Sequence, residues 1–227
     1  MSEKRADISA ALQTAAKVYD AFTAAATPGA SEMTLHAAVL RAAGMSAVSF
    51  DMLSGPRTAG IEGSATERML QRGDALLLDL CLKHGQHWCD VCRTYFLGEP
   101  APAMAAAYQA VLDCSAHVRG LLRDGVAASK IYAAAEAFLA ARGLSGWLRH
   151  HTGHGIGRTP FEAPVAVAHS LDTLHLGDVV TVEIGVYLDG AFGIRVEDDF
   201  CITPEGAESL WHYPKTLTEV ILPWPER

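Results

Sequence analysis

Gly73-Asp74-Ala75-Leu76-Leu77-Leu78-Asp79 and Gly177-Asp178-Val179-Val180-Thr181-Val182-Glu183 are two renderings of one pattern. Each is a Gly-Asp turn, an apolar run, and then a carboxylate where an apolar residue would be comfortable. Each leads through a polar turn into a second strand with a further carboxylate, Asp90 in the first copy and Glu197 in the second. Burying an unpaired carboxylate costs several kcal/mol or forces it to take up a proton. Four of them at equivalent points of two apolar hairpins therefore call for cations. Between the copies lies His154, in the run Gly153-His154-Gly155-Ile156-Gly157. Four carboxylates and one imidazole make a ligand set for two divalent metal ions. Such donors accept Mn, Co, Fe and Zn alike, so the metal's identity stays open.

Working outward, each hairpin is preceded by two helical stretches. Apolar residues recur at helical spacing over residues 6–26, ended by Thr27-Pro28-Gly29, and over 31–43, stopped at Gly44. A strand at 47–53 precedes Ser54-Gly55-Pro56-Arg57-Thr58-Ala59-Gly60, a loop too rich in Gly and Pro for regular structure. The first hairpin pairs 75–82 with 88–97. Helices over 103–123 and 128–142 follow, then the His/Gly run, then a hairpin of 179–187 and 194–202. Helix, helix, hairpin, twice over, predicts an α+β fold. Its expected core is one curved, mostly antiparallel sheet with an internal pseudo-twofold repeat, backed by helices. No linker interrupts the pattern, so residues 1–227 are expected to form a single domain.

Composition narrows the partners. A net charge of -8 opposes nucleic acid or an anionic membrane surface as the main partner. Met1 to Asp7 is charged rather than a signal core, and no apolar run reaches membrane-spanning length. Five cysteines, three of them between Cys81 and Cys92, do not form a secreted disulfide framework, so a reducing cytoplasm is the expected home.

The competing reading of the acids is structural, with each carboxylate paired to an arginine such as Arg93 or Arg195. Asp79 and Asp90, eleven residues apart, suit cross-strand neighbours around a short turn, and Glu183 with Glu197 repeats the arrangement. Recurrence at repeated positions favours metal over four separate ion pairs.

The order Asp79, Asp90, His154, Glu183, Glu197 resembles the metal signature of the pita-bread metallopeptidase family, which includes methionine aminopeptidase, Xaa-Pro aminopeptidase, prolidase and creatinase. The likeness runs from about Ala10 to the C-terminus. Arg195 beside Glu197, and His150 four before His154, resemble the Xaa-Pro aminopeptidase and prolidase branch. The resemblance implies that Asp79 chelates one ion, His154 and Glu183 the other, and that Asp90 and Glu197 bridge. It implies hydrolysis of an amide-type C–N bond by a bridging hydroxide, with Glu183 and His150 catalytic. A small molecule or short peptide is the implied substrate, and a homodimer is compatible with the likeness. The extra N-terminal domain of the Xaa-Pro-cleaving relatives is not expected.

The sequence departs from the family on the substrate side. The family histidine seven residues after the His154 position is Phe161 here, followed by Glu162. The histidine of the loop after Gly55-Pro56 is matched best by Glu62. Phe161 has no donor and Glu62 is anionic, so ordinary peptidase activity is expected to suffer, and creatinase is a poor guide. Ile184 replaces the family proline, and His87 the usual aromatic three before Asp90. Glu62, Phe161, His87 and Arg195 are the expected substrate contacts. His87 reads equally as an exposed hairpin residue.

Other motifs carry less. Cys89-Asp90-Val91-Cys92 lacks a second cysteine pair and encloses Asp90, which argues against a zinc finger. Cys81 and Cys92 are expected to border the aspartates' pocket or to pack as small apolar groups. His151, His169, His175 and His212 show no pattern, and Gly155-Ile156-Gly157 lacks the Lys-Ser/Thr of a phosphate loop. The alternatives to a hydrolase are a metal-dependent lyase or other non-hydrolytic enzyme on a small carboxylate, and a non-catalytic binding module.

Overall fold

The two Gly-Asp turns close identically. Gly73 (φ 84°) and Gly177 (φ 87°) take the left-handed backbone that glycine tolerates. Asp74 then accepts from the Gln71 amide at 2.8 Å, and Asp178 from the His175 amide at 2.7 Å. In both copies the Gly-Asp pair exchanges backbone bonds with the far end of its own hairpin, at Leu97 and at Ile202. The repeat read from sequence is therefore also a repeat of hydrogen bonding.

The computed structural model describes residues 2–225; Met1, Glu226 and Arg227, included in the expected 1–227 domain, lie outside the described residues. Helices α1 (Glu3–Ala25) and α2 (Glu32–Ala43) lead to strand β1 (Val48–Ser54), then to hairpin β2 (Ala75–His84) and β3 (His87–Leu97). Helices α3 (Pro102–Arg119) and α4 (Ala128–Ala140) lead to the short strands β4 (His154–Gly155) and β5 (Glu162–Val165). Hairpin β6 (Val179–Leu188) and β7 (Phe192–Thr203) follows, then β8 (Gly206–Ser209) and β9 (Ile221–Leu222). Ser31 and Thr34 form a capping box on α2, and Pro102 occupies the first turn of α3.

The strands form a sheet in the order β1-β2-β3-β7-β6-β4-β5, with β8 on β7 and β9 parallel to β3. The hairpins meet at the β3–β7 seam, where Cys92 faces Glu197. Helix α1 packs on β2 and β3, and α3 on β6 and β7, so each copy covers its own hairpin. Strand periodicity divides the faces. Leu76, Leu78, Leu80, Val91, Val182, Ile184, Ile194 and Val196 join the helix-backed core. The intervening Asp79, Asp90, Glu183 and Glu197 turn to the other, concave face.

Three expectations need adjustment. Gly55–Gly60 is a 3-10 helix, because Pro56 presets its first turn and Thr58 Oγ1 donates to Gly55 O at 2.8 Å. The helix expected to reach 123 ends at Arg119, before Gly120. Asp79 and Asp90 are diagonal neighbours, since the two-residue turn at Gly85-Gln86 sets Asp79 opposite Cys92 and Cys81 opposite Asp90. Glu183 and Glu197, by contrast, are direct partners.

Candidate metal centre

The glycine run brings His154 to the acids. A Cβ on Gly153 (φ 143°) would run into Thr181 O, and one on Gly155 into Ala163 O. Without side chains there, β4 presses between β5 and β6, and His154 reaches the concave face. His154 Nδ1 lies 3.0 Å from Gly155 O, which makes Nδ1 the donor and leaves the Nε2 lone pair free. That Nε2 lies 3.7 Å from both Asp90 Oδ2 and Glu197 Oε1.

Ligand atoms of Asp90, His154 and Glu197 lie within 4.8 Å of one another, and so do those of Asp79, Glu183 and Glu197. Glu197 belongs to both sets. His154 is 3% exposed, Asp90 7%, Glu183 6% and Glu197 1%. Burial, together with the charge of neighbouring acids, pushes the pKa values of Asp90 and Glu197 well above the carboxylate range. Burial raises Glu183 to about 8, with Arg195 opposing and Asp79 and Glu62 reinforcing. Among the described residues, Asp90 Oδ1 and Glu197 Oε1 are buried without a hydrogen-bond partner. Orphaned carboxylate oxygens beside a free imidazole nitrogen fit divalent cations, which would satisfy and neutralise them together.

The arginines answer only part of this charge. Arg195 Nη2 lies 2.6 Å from Asp79 Oδ2, its Nε 3.7 Å from Glu183, and its Nη1 3.1 Å from the Tyr187 hydroxyl. Arg195 is therefore a buried part of the site floor rather than a group open to substrate. Arg93 points to the opposite face, pairing with Asp198 at 2.5 Å beside Lys215. Among the described residues no arginine or lysine pairs with Asp90 or Glu197, the acids most in need of one.

The other expected residues divide. His150 Nδ1 lies 3.6 Å from Glu183 Oε1, and its Nε2 2.8 Å from the Tyr187 hydroxyl. Gly185 makes room, since a Cβ there would collide with both partners. Phe161, half exposed, sets its ring 4.4 Å from that of His154 and 5.2 Å from that of His151. Glu62 is exposed at the rim, near enough for its charge to raise Glu183. His87 corrects its expectation. It sits an odd number of residues from Asp90, so it faces the helix side, where its Nδ1 lies 2.8 Å from Asp7 Oδ2 of α1.

Sequence reasoning missed His151, whose Nδ1 lies 3.1 Å from Glu183 Oε2. Burial, chiefly, lowers both His150 and His151 to about 3, so both flank Glu183 as neutral rings. The signal was adjacency in His150-His151-Thr152-Gly153-His154, but the segment is irregular and no period aims its side chains. Tyr187 and Asp199 were also missed. Asp199 Oδ2 accepts the Asp90 amide at 3.3 Å, and burial pushes its pKa well up. Both lie two-residue steps from expected ligands, at 183 and 197, and so share their face.

The profile of metallopeptidase family M24 matches residues 6–204. The uncharacterized peptidase YqhT of Bacillus subtilis is 34% identical over 215 residues, covering 91% of this chain and 61% of its own length. Dipeptidase PepE from Mycobacterium ulcerans superposes with a TM-score of 0.91 at 31% identity, over 98% of this chain and 61% of that one. The Xaa-Pro dipeptidase from Bacillus anthracis does so with a TM-score of 0.91 at 29% identity, over 98% and 63%. The chain thus spans about three fifths of the length of these relatives. No helix of the described residues is long and apolar enough to cross a membrane.

Proposed function

Since the chain belongs to metallopeptidase family M24, we propose that it is a dinuclear metal-dependent hydrolase, cleaving an amide-type C–N bond in a short peptide or small amide. The observation that carries this reading is the buried pair Asp90 and Glu197, whose Oδ1 and Oε1 lack partners among the described residues and whose Oδ2 and Oε1 lie 3.7 Å from the free nitrogen of His154. Asp79, Asp90, His154, Glu183 and Glu197 would hold the ions, with Asp90 and Glu197 as the bridging pair. Divalent ions in such a site acidify water and polarise a carbonyl oxygen.

The chain's own residues supply the rest. Glu183, beside two rings that burial keeps neutral, is placed to take a proton from water and release it to a leaving amine. His150 Nδ1 and His151 Nδ1 stand 3.6 and 3.1 Å from its two oxygens, and Arg195 Nε approaches to 3.7 Å. Tyr187 ties His150 to Arg195, so the imidazole and the guanidinium are positioned as one unit. Phe161 gives the outer side of His154 an apolar wall, and Glu62 places a negative charge at the rim. That combination favours a substrate with an apolar group beside the scissile bond and a cationic or donor-rich group near Glu62. We read the chain as a single pita-bread catalytic unit, and its five free cysteines fit a reducing cytoplasm.

The test is hydrolysis by the full chain. Chelator-treated protein reloaded with Mn, Co, Fe or Zn would be assayed on a panel of dipeptides and small amides, with products identified by mass. Release of an amine and an acid that depends on added metal is expected. Conversion by elimination, without uptake of water, would replace the hydrolase reading with a lyase.

A further inference from the structure

Each hairpin is laddered from end to end, but among the described residues β3 and β7 share one ladder pair, Cys92 with Glu197. Two residues to either side, the next rungs would fall at Thr94 with Arg195 and at Asp90 with Asp199. In both places a side chain makes the crossing. Thr94 Oγ1 accepts from the Arg195 amide at 3.0 Å and donates to Arg195 O at 3.0 Å. Asp199 Oδ2 accepts from the Asp90 amide at 3.3 Å. The crossings obey the internal twofold, since Thr94 lies two residues after Cys92 and Asp199 two after Glu197. Both residues are fully buried. A carboxylate buried to hold one amide is a costly way to join strands, which points to a use beyond joining them. Each crossing grips a residue of the site in the opposite repeat: Asp90 itself, or Arg195, which reaches Asp79 at 2.6 Å and Glu183 at 3.7 Å. Strands joined by backbone bonds sit about 4.7–4.9 Å apart. An inserted side chain instead sets the gap by its own length, and Asp90 and Glu197 stand on opposite sides of this gap.

We propose that Thr94 and Asp199 are positioning residues for the metal centre, matched spacers across the seam between the repeats. Together they fix the separation of Asp90 from Glu197 and the place of the Arg195 guanidinium between Asp79 and Glu183. Thr94 acts through the backbone of Arg195, and Asp199 through that of Asp90. The proposal rests on the metal reading above and deepens it, from which residues hold the ions to what sets the spacing of those residues.

Chelator-treated full chain reloaded with manganese(II) tests it. Titration gives the affinity, and electron paramagnetic resonance tells two ions coupled through shared ligands from isolated ones. The wild type should show the coupled signal. Thr94→Val and Asp199→Leu remove the bonding oxygens, and each should weaken manganese binding by about tenfold to a hundredfold, as loss of groups that orient ligands does. Each should also turn the coupled signal into that of isolated ions. Thr94→Ser and Asp199→Asn keep an acceptor oxygen and should keep both affinity and coupling. Wild-type affinity and coupling in Thr94→Val or in Asp199→Leu overturns the matched pair and leaves the metal centre standing. Equal losses in the Ser and Asn variants overturn it too, because the bonds would then not be the cause. A wild type without the coupled signal removes the bridged two-ion reading, and the proposal with it. Thr94→Val keeps the shape of the side chain, so it decides the matter even if Asp199→Leu folds poorly.

Discussion

Glu183 and Glu197 face one another as direct partners of an antiparallel ladder, both buried on the concave side of the sheet. Like charges set directly opposite destabilise a sheet, and burial magnifies the effect. Arg195 comes within 3.7 Å of Glu183, but among the described residues no arginine or lysine pairs with Glu197. The fold therefore carries a local cost that only cations or protons can offset.

Removing a shared ligand should empty the site. Glu197→Ala and Asp90→Ala are each expected to lose most bound metal, read by elemental analysis after gel filtration. Treating the wild type with chelator should lower its Tm, because ions that bind only the folded state stabilise it. Full metal retention in both variants would sink the two-ion assignment.

The metal-free protein should lose stability as pH rises from 6.5 to about 8. Glu183 is raised from 4.5 to about 8, and Asp90 and Glu197 are raised as well, so the folded state holds protons that the unfolded chain has released. Stability from such groups is present at low pH and is lost on the way up to the folded pKa. His150 and His151, lowered from 6.5 to about 3, act oppositely, but only below 6.5. Thermal melts of chelated protein across this window should show a falling Tm, and metal-loaded protein a flatter profile. A rising Tm in the chelated protein would contradict the assigned electrostatics.

Gly185→Ala should separate positioning from binding. The added Cβ meets His150 and the Tyr187 hydroxyl and none of Asp79, Asp90, His154, Glu183 and Glu197. Metal content should stay near wild type while kcat falls by about tenfold to a hundredfold, as displacement of a proton-handling group does. Unchanged kcat would mean that His150 and Tyr187 take no part in positioning Glu183.

Phe161 and Glu62 predict slow turnover of Xaa-Pro dipeptides and ordinary aminopeptidase substrates. One positioned donor to a developing oxyanion is worth about 10²–10³ in rate, and Phe161 offers none. Phe161→His should raise Xaa-Pro dipeptide hydrolysis by up to about that factor. His151, 5.2 Å from the Phe161 ring, is the nearby donor that could already fill the gap. Brisk hydrolysis by the wild type that collapses in His151→Ala would show that it does.

The sequence alone determined the hairpins and their acids. Gly-Asp turns, apolar runs and strand alternation are local signals, and a carboxylate inside such a run is conspicuous because burial penalises it. The four acids that share the concave face and the α+β sheet with its internal repeat were therefore legible in the sequence. Tertiary structure alone decided everything that depends on register or on irregular backbone. A two-residue turn at Gly85-Gln86, against Asp189-Gly190-Ala191 between β6 and β7, makes Asp79 and Asp90 diagonal while Glu183 and Glu197 meet directly. A single step along β3 sent His87 to Asp7 on the helix side. His151 looked like a stray histidine because its aim is set by how residues 150–153 pack against β6, through contacts distant in sequence. The choice of Arg195 for Asp79 and of Arg93 for Asp198 belongs to the same class. Pairing across a sheet depends on which face each strand turns inward, and that is fixed only when the two hairpins join at the β3–β7 seam.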